Sequence, residues 1–133
     1  MLTRIVLLLV VAPELVVAQN VELSSLPEPI AAFCVRVLKG DIAAQGKRFN
    51  ATDVINRDVP TRRIIAFKTI GETSYLWYEH GGLGYHQHLV GFSNARPKEI
   101  LESYSLIIKP VDRSIEDVIA DKATLNPYDV ELE

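Results

Sequence analysis

The chemically versatile side chains of this chain concentrate in one short segment. All three histidines, His80, His86 and His88, lie there, in a stretch that runs Trp-Tyr-Glu-His-Gly-Gly-Leu-Gly-Tyr-His-Gln-His from Trp77 onward. Imidazole is a common ligand of zinc, copper and iron, and its charge changes near neutral pH. A metal site and a polar binding surface are therefore the two chemistries that this segment suggests.

The pair His86 and His88 has the spacing of two metal ligands on one face of a strand. Side chains two residues apart on a strand point to the same side, about 7 Å apart along the chain. The third ligand depends on the connection that precedes His86. An even connection places Glu79 beside the pair, whereas an odd, three-residue connection places His80 there. The first set has two histidines and a carboxylate and the second has three histidines; both suit zinc, copper or iron, and the sequence leaves both open.

The same hairpin also suits a binding surface without a metal. In the even register one sheet face carries Tyr75, Trp77, His86 and His88, whose rings can pack across the strands. Such a face can receive a small ligand or a protein partner. No serine lies in a Gly-x-Ser-x-Gly sequence, so the chain shows no nucleophile motif of the hydrolase type.

The helices and strands predicted around these residues indicate an α+β fold. Ser25 and Glu28 have the spacing of a capping box, and an apolar stripe from Ile30 to Leu38 predicts one long N-terminal amphipathic helix. This helix is expected to pack on a three- to four-stranded antiparallel meander, with a short C-terminal helix after Ser114. The strands are predicted over residues 62–70, 73–80 and 85–92, with a fourth strand inside 99–109.

The N-terminus has the pattern of a cleavable export signal. Arg4 precedes an apolar run over residues 5–12, and the small side chain of Ala18 suits a cleavage site. We expect a signal peptide over residues 1–18, a single domain over 19–123 and an acidic C-terminal tail over 124–133. Cleavage removes the most apolar segment and leaves no stable membrane span.

The amino-acid composition limits which binding partners and which cellular compartment suit this chain. Loss of residues 1–18 removes one base and one acid, so the formal net charge stays at -3 and offers no basic surface to nucleic acid. A single cysteine, Cys34, excludes an internal disulfide and favours a periplasmic or secreted bacterial protein. The sequon Asn50-Ala51-Thr52 would mark a surface loop in a eukaryotic secreted protein.

Three functional hypotheses follow. The first is a small exported binding or accessory protein, without catalytic machinery of its own, that captures a small ligand or protein. The second is a metal-binding protein or metal-dependent enzyme that uses zinc or copper at His86 and His88 with Glu79 or His80. The third is a structural subunit that forms homo-oligomers through an open sheet edge.

Overall fold

The β-branched and aromatic segments between residues 62 and 106 form an antiparallel sheet, as their composition predicts. The structure is a computed structural model and describes residues 23–52, 56–82, 84–107 and 113–132. The strands within these ranges are β1 (Arg62–Ile70), β2 (Thr73–His80), β3 (His86–Ser93), β4 (Ile100–Leu106) and β5 (Asn126–Pro127). The helices are α1 (Glu28–Arg36) and α2 (Ile115–Ala120), with short 3₁₀ helices at Leu23–Ser25, Lys122–Thr124 and Val130–Leu132.

The five strands follow one another in the order β1-β2-β3-β4-β5, each antiparallel to its neighbour. Gly71 and Glu72 make the tight turn between β1 and β2, and Gly71 has a φ of 60°, as the first position of a type II′ turn requires. At the far edge Pro127 occupies β5, where its missing N–H removes no internal ladder hydrogen bond. The meander therefore ends on this side in a very short edge strand, β5.

Both faces of the sheet are covered by apolar side chains from outside the strands. On one face Leu76, Tyr78, Val90 and Phe92 pack with α1 residues Ile30, Phe33 and Cys34 and with Leu38, Ile42, Ile64 and Val130. On the other face the buried cluster consists of Tyr75, Trp77, Leu89, Leu106, Ile115 and Val118, the last two from α2. Among the described residues both faces are therefore buried at the central strands β2 and β3, whereas Phe67 and Ile70 of β1 and Leu101 of β4 stay exposed.

The prediction of one long N-terminal helix on a three- to four-stranded meander is wrong. The helix α1 has nine residues and the sheet has five strands. Pro27 takes the N-cap position, and Lys39 and Gly40 adopt left-handed φ angles of 53° and 76° just beyond the last turn. The apolar stripe continues past the helix because Leu38 is buried from a turn, so helical periodicity overestimates the helical length.

The C-terminal segment is more ordered than the sequence indicates. Asn126 and Pro127 pair with Ser105 and Tyr104 of β4, and Val130 is 1% exposed within the core. The preceding helix is shorter than expected and ends at Ala120, but its start matches the prediction: the Ser114 side chain accepts a hydrogen bond from the Asp117 amide. The fifth strand thus comes from residues that look like a loose acidic tail.

The expected signal peptide over residues 1–18 lies outside the described residues and stays a prediction. Among the residues that are described, no helix combines the length and the hydrophobicity that crossing a bilayer requires.

Candidate functional site

The register of the hairpin between β2 and β3 decides which polar side chains meet. His80 lies opposite His86, and Tyr78 lies opposite His88. The connection over residues 81–85 is odd, although longer than the three residues considered from sequence. His80, His86 and His88 therefore share the sheet face that is packed by α1, and Glu79 points to the other face.

The three imidazoles form a compact cluster at the end of this face. One ring nitrogen of each histidine lies within 4.8 Å of the corresponding atoms of the other two. The ring centroids of His86 and His88 are 4.6 Å apart, and those of His80 and His86 are 4.9 Å apart. His88 is fully buried, whereas His80 and His86 are half-buried, so solvent reaches the cluster from the hairpin end.

A backbone contact orients one of the three rings. The Nδ1 atom of His86 lies 2.7 Å from the carbonyl oxygen of Gly84. A carbonyl oxygen can only accept, so Nδ1 carries the proton and Nε2 keeps its lone pair for a ligand. Metal-binding histidines commonly show this arrangement, in which the second nitrogen is anchored to a backbone carbonyl.

Two tyrosines flank the buried imidazole. The ring of Tyr78 lies 5.0 Å from that of His88, and the ring of Tyr128 lies 4.7 Å from it on the outer side. The Tyr128 amide donates to the Ser103 carbonyl at 3.0 Å, which holds this residue beside β4. Sequence reasoning missed Tyr128 because it belongs to the presumed tail; its only signal is an aromatic residue in an acidic segment.

A close backbone approach fixes the hairpin end that carries the cluster. A Cβ atom on Gly81 would lie 1.6 Å from the carbonyl oxygen of Asn50, so only glycine fits there. Asn50 is itself buried, and its Nδ2 donates to the carbonyls of Asn56 and Val59 at 2.8 and 2.9 Å. This asparagine is the first residue of the sequon, which would mark a surface loop only in a eukaryotic secreted protein, and in the structure its side chain is buried.

The opposite face of the same hairpin carries a chain of complementary hydrogen bonds. Trp77 donates to Gln87 at 3.0 Å, and Gln87 donates to the Tyr85 hydroxyl at 2.9 Å. Tyr85 in turn donates to Glu79 at 2.7 Å, and the other Glu79 oxygen accepts from Arg63 at 2.6 Å. We call these five residues the Glu79 network. It lies beside a cavity of about 250 Å³, which is lined by Gln45, Arg63, Ile64, Ile65, Trp77, Glu79 and Gln87.

Burial of the Tyr85 phenol raises its pKa to about 12, and the nearby Glu79 carboxylate adds to this rise. The phenol therefore keeps its proton at neutral pH and stays a donor to Glu79. The Glu79 network thus consists of four hydrogen bonds, from Trp77 to Gln87, from Gln87 to Tyr85, and from Tyr85 and Arg63 to Glu79.

Tyr75 lies further along this second face, in a separate polar group. Its hydroxyl donates to Glu102 at 2.8 Å, Tyr104 donates to the other Glu102 oxygen at 3.0 Å, and Lys122 forms an ion pair with the same carboxylate. Burial alone would raise the pKa of Glu102, but the hydrogen bonds from Lys122, Tyr75 and Tyr104 outweigh it and lower the pKa. Tyr75 therefore has a structural partner set of its own.

The four residues expected to form one binding surface are not brought together. Tyr75 and Trp77 are 7% and 6% exposed on the α2 side, whereas His86 and His88 lie on the α1 side. The odd connection is the reason, because a change of one residue in register exchanges the faces. The four residues therefore lie on two faces and belong to three polar groups: the Glu79 network, the Glu102 group and the histidine cluster.

No known protein family, curated protein or solved structure matches this chain. The chemistry of the histidine cluster must therefore carry the functional argument. Tetrahedral coordination with metal–nitrogen bonds of about 2.0–2.1 Å requires nitrogens about 3.3 Å apart. The nitrogens of the cluster lie within 4.8 Å of one another, so metal binding requires them to move closer together.

Proposed function

We propose that this chain is a small exported protein that binds a transition-metal ion through His80, His86 and His88. The observation that carries the proposal is the convergence of one nitrogen from each imidazole within 4.8 Å. Because His80 and His86 are half-buried, an ion can enter the site from solvent. The buried His88 forms the inner end of the site.

The change in residue type along this face supports a metal over simple packing. Inward positions nearer the middle of β2 and β3 are occupied by Leu76, Val90 and Phe92. Their side chains have no polar atoms, so their burial carries no cost for desolvating polar groups. Of the four inward positions at the hairpin end, three carry imidazole, and the fourth, opposite His88, is Tyr78. Apolar side chains would fill this volume at lower cost, so the three histidines are better explained by ligation.

The donor set favours zinc or copper. Within the described residues the cluster contains no carboxylate, since Glu79 is on the other face, and no thiolate, since Cys34 lies in the apolar core. Neutral imidazoles suit Zn²⁺ and Cu²⁺, whereas Mg²⁺ and Ca²⁺ prefer oxygen ligands. Three protein ligands leave a fourth position for water or a donated ligand, which suits capture and delivery of the ion by an accessory protein.

Metal titration of untagged protein tests the site. Zn²⁺ or Cu²⁺ should bind with one equivalent per chain, and at 100 times Kd it should stabilise the fold by about 2.7 kcal/mol. His86→Ala should abolish this rise in melting temperature, because it removes one of three ligands from a half-buried position. Gln45→Ala, an exposed polar change away from the cluster, should leave it intact. Less than about 0.1 equivalent of metal and an unchanged melting temperature would reject the site.

Export is the second part of the proposal, and the pattern of residues 1–18 supports it. N-terminal sequencing of the protein recovered from outside the cytoplasm should begin at Gln19. An intact Met1 on the recovered protein would contradict cleavage.

A further inference from the structure

The residues of the Glu79 network alternate along the chain with the histidines. Glu79 immediately precedes His80, and Tyr85 immediately precedes His86. Gln87 lies between His86 and His88. Because successive side chains on a strand point to opposite faces, whatever holds the network on one face also sets the direction of the imidazoles on the other.

Tyr85 has a particular place in this arrangement because it belongs to the connection between the strands. Its hydroxyl donates to Glu79 of β2 at 2.7 Å and accepts from Gln87 of β3 at 2.9 Å. One phenol oxygen therefore ties the last residue of the loop to both strands that carry ligands. The Arg63 guanidinium extends the link to β1 through its 2.6 Å contact with Glu79.

The energetic consequence concerns register. A hairpin with a longer connection can slip more easily than one with a two-residue turn. A slip of β3 by one residue would move His86 and His88 to the face opposite His80 and so divide the cluster. A network whose donors and acceptors match only in one register opposes such slips. Glu79 and Gln87 are 7% and 1% exposed, so a slip would leave buried polar groups without their partners.

We infer that Tyr85, acting with Glu79 from the opposite sheet face, is a positioning residue for the three-histidine metal site. This inference rests on the proposed metal function. It assigns no contact with the metal to either residue. Both hold the backbone of the hairpin so that His80, His86 and His88 converge before an ion arrives.

The test compares Tyr85→Phe with Tyr104→Phe in the full-length protein. Both changes remove one phenol hydroxyl that donates to a glutamate on the same sheet face, Glu79 in the first case and Glu102 in the second. Only the first glutamate is adjacent in sequence to a histidine. Zn²⁺ affinity is measured by competition with a chelator, and the visible absorption of Co²⁺ in the site reports coordination geometry.

Tyr85→Phe should weaken Zn²⁺ binding about tenfold, at the lower end of effects from residues that orient ligands, and should alter the Co²⁺ spectrum. Tyr104→Phe should change the affinity less than twofold and keep the wild-type spectrum. Glu79→Gln, which preserves side-chain shape, should weaken binding in the same direction as Tyr85→Phe and so tests the link from its other end.

The possible failures are distinct. If the wild-type protein binds no metal, the proposed function fails and takes this inference with it. If the wild-type protein binds metal while Tyr85→Phe and Tyr104→Phe have equal affinities and spectra, the metal site stands and the positioning role is overturned. Melting temperatures of the metal-free variants, measured in parallel, show that each is folded at the assay temperature.

Discussion

The two faces of the β2–β3 hairpin carry polar groups of opposite character. On one face three side chains of a single type converge, with nitrogens within 4.8 Å. On the other face five side chains of different types are linked by four donor–acceptor hydrogen bonds, from Trp77 to Arg63. The same two strands therefore present a set of like ligands and a set of complementary partners.

We interpret the histidine cluster as a ligand site and the Glu79 network as the group that stabilises the hairpin carrying it. Complementary partners lower their own desolvation cost, so the Glu79 network is complete as it stands and can rigidify the hairpin. Three imidazoles are stabilised most by a cation that all three can bind together. Polar clustering alone would mark both faces as functional, whereas the difference in donors and acceptors is the reason we propose the ligand for the histidine face.

The largest expected effect comes from Gly81, because both faces depend on the hairpin end it occupies. Gly81→Ala would place a Cβ atom 1.6 Å from the Asn50 carbonyl oxygen. Hydrogen bonds hold both backbones, from the Gly81 amide to the Thr61 carbonyl and from the Asn50 amide to the Pro60 carbonyl. We expect a loss of at least about 3 kcal/mol of unfolding free energy, the upper end for overpacking, together with loss of metal binding. Urea denaturation and metal titration measure the two effects.

Gly71→Ala is the matched control for this change. Gly71 has a positive φ of 60° but open space around its Cβ position, so alanine meets conformational strain without a clash. The expected cost is about 1–2 kcal/mol, with metal affinity retained, since the turn lies at the other end of β2 from the histidines. Equal effects of the two substitutions would contradict the role of the Gly81 contact.

The next effect concerns the loop against which Gly81 packs. Asn50→Ala removes the side chain that bonds the carbonyls of Asn56 and Val59 and also accepts from the Asn56 amide at 2.7 Å. Leaving these groups unsatisfied should cost about 2 kcal/mol, measured by urea denaturation. Asn126→Ala, at an exposed position, should change stability by less than about 0.5 kcal/mol. A surface role for Asn50 would make the two losses alike.

Local signals predicted a good part of the fold. The residue types of β1 and β2 and the start of a helix after Ser114 depend on a few neighbouring residues, and both predictions are confirmed. The fifth strand was missed because Asn126–Pro127 is too short for a periodic signal and exists only through pairing with β4. The end of α1 was missed because burial of Leu38 continues the apolar stripe beyond the helix.

The site was only half predictable for a related reason. Composition located the histidines, and alternation paired His86 with His88. The choice between His80 and Glu79 depends on the parity of the connection, which the contact of Gly81 with Asn50 and the Glu79 network help to set. Asn50 and Arg63 come from distant parts of the chain, so no window around the histidines contains them. Tyr85 and Gln87 lie among the histidines, but their hydrogen-bond partners are defined only once the register is known.

The smallest expected effect concerns Glu102, which forms a second hydrogen-bonded group with Lys122 and Tyr75 on the same face as the Glu79 network. The pKa of Glu102 is lowered in the folded protein from its ordinary value of 4.5, so its ionised form stabilises the fold above that pH, and this contribution is lost as pH falls through the lower folded pKa. Glu102→Gln should therefore be less stable than wild type at pH 7, and the gap should narrow steadily below pH 4.5. Urea denaturation across this range measures the gap, with Glu72→Gln at an exposed turn as the control. A gap that did not change with pH would show that the carboxylate charge does not stabilise this face, and would limit the comparison to the hairpin itself.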